Sequence, residues 1–298
     1  MTFFFEVLIG GLLSGVMYSL VALGFVLIYK ASGVFNFAQG AMVLFAALSL
    51  VRLMEKMPLP LALLVTCVIM LALAYAIERL VLRPLVNQPG ISLFMATLGI
   101  TFFLEGFGQI LWGSDIYKLD LGIPKQPVII LENVFKGGIL VGSDDLFATV
   151  VSGALVIVLA IFFQKTRIGR ALRAVADDHQ AAQSIGIPLN QIWLIVWTVA
   201  GLVALVAGVI WGSRLGVQFS LSLIALKALP VVILGGFTSV PGAIVGGLII
   251  GVGEKLSEVY LGPVIGGGIE NWFAYTVALA FLLVRPEGLF GEKLIDRV

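Results

Sequence analysis

The sequence predicts an all-α polytopic membrane protein, and three observations carry that prediction. Hydrophobic residues make up 60% of the chain against 12% charged, with a mean hydropathy of +1.12, a balance no soluble domain sustains. Apolar runs recur at close to the roughly 20 residues that one membrane crossing needs. Glycine, at 35 residues, falls repeatedly at helix-contact spacing, as in Gly11-x3-Gly15, Gly242-x3-Gly246 and Gly247-x3-Gly251. In lipid, helices associate through such close backbone approach. A net charge of +1 with scattered basic residues gives no footprint for nucleic acid. The single Cys67 lies in an apolar run and excludes an internal disulfide.

Taken in order, the spans fall near Val7–Tyr29, Ala38–Val51, Leu59–Ile77, Ser92–Trp112, Leu146–Phe163, Ile192–Gly212, Ser222–Leu234, Gly242–Lys255 and Trp272–Val284. The opening MTFFFEVLIGG lacks a basic n-region and a cleavage site, so it reads as a retained first span. The second, seventh and eighth fall short of a full crossing, which predicts half-helices whose broken backbone is covered by protein. The expectation is therefore about eight or nine transmembrane or half-spanning helices in one domain over 1–298.

Basic residues are enriched in cytoplasmic loops. Threading the spans with Lys165–Gln191 inside also places Lys30, Arg79, Arg83, Arg285, Lys293 and Arg297 inside. Arg52, Lys56, Lys118, Lys125, Lys136, Arg214 and Lys255 are left on or near the other side. The N-terminus then falls outside, the C-terminus is cytoplasmic, and 113–145 becomes the long external loop. Pro124, Pro127 and Gly137-Gly138 flank the β-prone run Val128–Leu131 there, the pattern of a small docking hairpin. Gly235 to Gly242 reads either as packing or as a flexible inner turn that moves. A faint likeness between Val26–Leu48 and Val232–Ile249 hints at an internal duplication.

No catalytic set is visible. His179 is the one histidine, so no His/Cys metal cluster forms; no phosphate-binding loop and no Gly-x-Ser-x-Gly elbow appears. What remains is polar residues at membrane depth, which are costly and so candidates for function. Glu105 and Gln109, four apart, share a helix face and serve either as an interhelical hydrogen bond or in a path. Tyr18, Ser19, Thr97 and Thr101 could line the same path, although hydroxyls in helices commonly bond their own backbone. Lys227 fits snorkelling to the interface. Asn36 and Gln39 stand at a break between two spans, where a helix end can face a passing solute, and equally fit a plain turn.

The longest polar interruption near four basic residues is Lys165 to Gln191. Thr166 to Ser184 is built from good or tolerable helix formers, Gly186 followed by Pro188 is a helix stop, and Asn190 occupies an N-cap position before the next span. Gln180-Ala181-Ala182-x3-Gly186 has the small-residue pattern of a helix end that seats in a groove of another protein.

The run Asn36-Phe37-Ala38-Gln39-Gly40, the segment Glu78-Arg79 to Arg83-Pro84, Gly169 to Ala174, Leu234-Gly235-Gly236 to Pro241-Gly242-Ala243 with Gly246-Gly247, and Pro286 to Gly291 together resemble the branched-chain amino acid ABC transporter permeases, LivH-type subunit. The likeness covers nearly the whole chain in order. It implies an importer in a bacterial inner membrane, built from this permease, a LivM-type second permease, two ATP-binding subunits of LivG and LivF type and a periplasmic solute-binding protein. ATP and Mg2+ would be held by the partner subunits, with no cofactor on this chain, and no nucleic acid is implied. The resemblance makes 165–191 the cytoplasmic coupling loop, with Arg170, Ala171, Arg173, Asp177, Asp178, Gln180, Ala181, Ala182 and Gly186 as its contacts. Gln180 stands where the motif carries Glu, so a hydrogen bond replaces a salt bridge there. An ion-gradient-driven secondary transporter is the alternative; it needs an ionisable group inside the bundle, for which Glu105 is the best-placed residue.

Overall fold

Long apolar runs become long helices because lipid offers backbone groups no partner other than their own helix. The computed structural model describes residues 2–85, 88–123, 126–130, 132, 138–177 and 179–291, which hold eleven α-helices and one two-stranded sheet. Pro124, Lys125, Leu131, Lys136, Gly137, Asp178, Lys293 and Arg297, named above, lie outside the described residues. Six helical stretches are long and apolar enough to cross a membrane: Thr2–Ser32, Leu59–Leu85, Gly90–Trp112, Ser143–Lys165, Leu189–Leu215 and Val240–Ile265. Three shorter apolar ones, Gln39–Met54, Phe219–Gly235 and Phe273–Val284, complete the set. The second and seventh expected spans are short, as their length predicts. The eighth is not: it continues past Lys255 to Ile265 as a 26-residue helix, about 39 Å long at 1.5 Å per residue.

The chain forms two compact units, each assembled from separated segments: Met1–Leu23, Gly122–Ile157 and Lys227–Val298 in one, Gly24–Leu121 and Val158–Leu226 in the other. The second is organised around α2 (Gln39–Met54), whose residues from Gln39 through Val51 are all buried. It packs against α3 (Leu59–Ala76), α4 (Gly90–Trp112), α8 (Leu189–Leu215) and the 3-10 turn Phe219–Leu223. A Cβ on Gly40 would lie 2.1 Å from the Ser222 carbonyl oxygen, so only glycine lets the start of α2 meet that turn. After α3 the helix widens into a π-turn at Ile77–Leu82 and tightens at Arg83–Leu85, ahead of the break before α4.

In the first unit α1 (Thr2–Ser32) and α10 (Val240–Ile265) touch backbone to backbone. A Cβ on Gly15 would stand 2.7 Å from the Gly247 carbonyl oxygen, and one on Gly251 would stand 2.4 Å from Gly15 N. The third glycine pair, Gly242 and Gly246, meets Gly235 and Val231 of α9 (Ile224–Gly235) instead. Two of the three glycine motifs thus face each other, and the third holds the next helix. The external run forms the expected hairpin: β1 (Pro127–Ile130) pairs antiparallel with β2 (Ile139–Gly142), whose position the sequence does not mark. The Glu6 carboxylate accepts from Leu140 N at 3.2 Å, tying the hairpin to the start of α1.

The Gly235 to Gly242 turn is firmly held. Leu289 N donates to the Leu234 carbonyl at 2.8 Å and Phe290 N to that of Gly235 at 3.1 Å. Ser239 Oγ accepts from Gly242 N at 3.0 Å and caps α10. The two segments of the suggested duplication both become helix, turn, helix, at α1–α2 and α9–α10. The remaining α-helices are α5 (Ser143–Lys165), α6 (Arg167–Asp177), α7 (His179–Ser184) and α11 (Phe273–Val284).

Candidate functional site

The polar interruption is two helices rather than one. Thr166 Oγ1 accepts from Gly169 N at 3.1 Å and caps the start of α6. Gly169 itself sits against the end of α5, where a Cβ would come 2.0 Å from the Phe163 carbonyl oxygen. Leu172 and Val175 are buried, whereas Arg170 faces out and Arg173 turns back to hydrogen-bond the Phe163 carbonyl. Ala171 is half-buried between these two faces. The helix therefore presents one apolar face to its own unit and offers the other to solvent.

At the end of α7, Gly186 N donates to Gln183 O at 3.0 Å and Ile187 N to Ala182 O at 3.0 Å. That pair of bonds is the Schellman closure, and it requires a left-handed residue, supplied by Gly186 at φ +87°. Ala182 is buried, Ala181 is exposed, and Ile185 is 74% exposed beside the glycine. Nothing lies within 4 Å of a Cβ placed on Gly186. Among the described residues its smallness serves no packing. Asp177 and Gln180 fall within α6 and α7. Asn190 is no cap: α8 starts at Leu189 with Pro188 in the capping position, so Asn190 lies in its first turn.

The break at 33–38 gathers Asn36 and Gln39, both with no exposed surface. Asn36 Nδ2 donates to Gln39 Oε1 at 3.3 Å, Ala38 N donates to Asn36 Oδ1 at 3.1 Å, and Gln39 Nε2 donates to the Ala200 carbonyl at 3.3 Å. Thr97 joins them, donating to Phe94 O at 2.9 Å and reaching Phe35 O at 3.4 Å. These amides are consumed in pinning α2 to α8. Thr101 is half-buried and bonds the Thr97 carbonyl at 2.9 Å. Farther along α4, Glu105 is half-buried and Gln109 exposed, so exposure rises along the stripe and the last two do not join the polar turn.

Among the described residues two carboxylic acids are buried, Glu78 and Glu254, and neither stands out as a site in the sequence. Glu78 lies in the π-turn with no exposed surface, and Arg83 forks onto it, Nε to Oε1 at 3.1 Å and Nη2 to Oε2 at 3.3 Å. Glu254 lies near the middle of the 26-residue α10 and is 3% exposed. Its Oε1 has no hydrogen-bond partner among the described residues; Tyr18, on α1, is 5% exposed. A helical wheel holds the signal that was missed: Gly247, Gly251 and Glu254 share the face that meets α1. Lys227, on α9, is half-buried. Among the described residues no three His, Cys, Asp or Glu side chains gather as a metal site.

A bundle of apolar helices with half-length members and polar groups in its interior defines a multi-pass membrane protein, and comparison with known proteins narrows the class. Residues 7–285 match the family described as branched-chain amino acid transport system / permease component, and the chain belongs to that family. It is 28% identical to the high-affinity branched-chain amino acid transport system permease protein LivH of Salmonella typhimurium, over 99% of this chain and 98% of that one. Against BraD of Pseudomonas aeruginosa it is 27% identical over 99% and 98%, and against the probable LivH of Methanocaldococcus jannaschii 31% over 96% and 92%. The fold is similar to a chain of the PsaBC–Fab complex from Streptococcus pneumoniae, with a TM-score of 0.50, 15% identity and coverage of 92% of this chain and 89% of that one.

Proposed function

We propose that this chain is one permease subunit of an ATP-driven importer of branched-chain or other hydrophobic amino acids and related small solutes. It forms half of the translocation path in a bacterial inner membrane, with the N-terminus outside and the C-terminus cytoplasmic. A LivM-type permease completes the path, LivG- and LivF-type subunits hydrolyse ATP, and a periplasmic binding protein delivers solute. The family match over 7–285 carries this reading. The segment 165–191 supports it as the coupling element: Ile185 is exposed beside Gly186, around which the described residues leave open space, and that suits a groove on a partner.

The test separates backbone from groove. Gly186→Ala strains a left-handed residue by about 1 kcal/mol yet adds only a methyl, so uptake by the reconstituted complex persists. Gly186→Trp leaves membrane insertion intact but abolishes the ATPase stimulation produced by the loaded binding protein. Wild-type uptake in the Trp variant sinks the coupling role. Uptake that follows an imposed proton or sodium gradient without ATP would instead identify a secondary carrier.

A further inference from the structure

Between α3 with its π-turn and α4 lies a cavity of about 460 Å³ walled by apolar residues alone, among them Leu73, Ala76 and Leu80 on one side and Ala96, Gly99 and Phe103 on the other. Small-ligand sites span roughly 300–1,000 Å³. Leu80 and Phe103 are 73% and 63% exposed, so the cavity opens on the outer surface of two membrane-crossing stretches, which is where lipid lies. Glycine is unfavourable inside a helix, yet nothing stands within 4 Å of a Cβ placed on Gly99. Among the described residues no packing asks for glycine there, and its missing side chain keeps the cavity wide.

A cation borders it. Tyr75 and Arg79 directly precede the lining residues Ala76 and Leu80, so this i, i+4 pair runs along one edge of the cavity. Arg79 Nη1 donates to Tyr75 Oη at 2.7 Å and the guanidinium lies over the Tyr75 ring, 5.8 Å from its centroid. Both residues are exposed. The acid beside them, Glu78, has both oxygens taken by Arg83, and among the described residues no carboxylate pairs with Arg79. The turn thus keeps one uncompensated positive charge, about two turns from the end of the apolar stretch Leu59–Leu85. An apolar cavity by itself suits a lipid chain or a partner's helix. The cation decides between them: a helix would have to carry an acid into the apolar layer at a cost, whereas a phospholipid brings phosphate and chain in one molecule. We propose that α3, its π-turn and α4 form a site for one anionic phospholipid, with an acyl chain in the cavity and the phosphate on the Arg79 guanidinium. The site requires only that the chain spans a membrane and does not rest on the importer reading.

The test counts the lipid retained by the protein, purified with its native partners from vesicles of equal parts phosphatidylglycerol and phosphatidylcholine, by native mass spectrometry. The wild type is expected to retain phosphatidylglycerol in preference. Arg79→Gln, which can still donate to Tyr75, cuts that preference about fivefold, the worth of one cation at an anionic surface. Gly99→Leu extends into open space, so it releases the lipid without lowering the thermal midpoint. A benzoylphenylalanine placed at Phe103 crosslinks to a lipid chain on illumination. Equal retention of the two lipids by the wild type overturns the site, as does an unchanged preference in Arg79→Gln or undiminished phosphatidylglycerol in Gly99→Leu. A crosslink from position 103 to a protein subunit overturns it too and gives the cavity to a partner's helix. Should Gly99→Leu fail to assemble, the crosslink decides alone.

Discussion

Glu78 and Glu254 are both acids with almost no exposed surface in apolar helices, yet the protein treats them in opposite ways. Glu78 has both oxygens engaged by one guanidinium. The π-turn makes that possible: its wider i to i+5 closure brings residues five apart onto one face, where a regular α-helix would point them apart. Glu254 sits in a regular helix and has an oxygen with no partner among the described residues. The first arrangement is a finished structural bond. The second leaves an oxygen without a bond.

Variants can break that comparison, in descending order of expected effect on stability. Arg83→Ala strands a buried carboxylate; breaking a buried pair costs roughly 3–5 kcal/mol, and because the Arg83 side chain is 40% exposed the loss should be nearer the lower figure. Thermal unfolding of the purified complex measures it, and an unchanged midpoint would show that Glu78 does not need its cation. Gln39→Leu orphans Asn36 Nδ2 and removes the extra bond to the Ala200 carbonyl, a cost of about 1–3 kcal/mol in the same assay. Glu254→Gln should cost about nothing, since it removes a charge that the fold leaves unsatisfied. A loss as large as that of Gln39→Leu would place Glu254 among the structural groups and dissolve the contrast.

Much of this architecture was legible in the residues, and the failures have physical causes. Apolar run length located every long helix and marked Ala38–Val51 as short. It misjudged Gly242–Lys255 because the charges at Glu254, Lys255 and Glu258 look like the edge of the membrane. Lys255 is instead satisfied by its pair with Glu270 and Glu258 by backbone N–H groups, while Glu254 is buried against the neighbouring helices. Val128 to Leu131 announced a strand through its β-branched residues, whereas its partner at Ile139–Gly142 has no equally clear pattern and forms through pairing. Asn190 lost its expected place to Pro188, which has no N–H to satisfy and begins the helix two residues earlier. Asn36 and Gln39 were readable as polar groups at a break, but nothing short of tertiary contact could reveal that every one of their bonds is spent inside.

The strap at 285–291 carries a consequence of its own. Leu289 and Phe290 donate their amides to carbonyls at the end of α9, so the turn between α9 and α10 cannot open until both let go. Those two amide protons are therefore natural clocks. In deuterated water their rate of replacement, compared with and without ATP, times each parting of the strap from the turn without any label attached to the transporter.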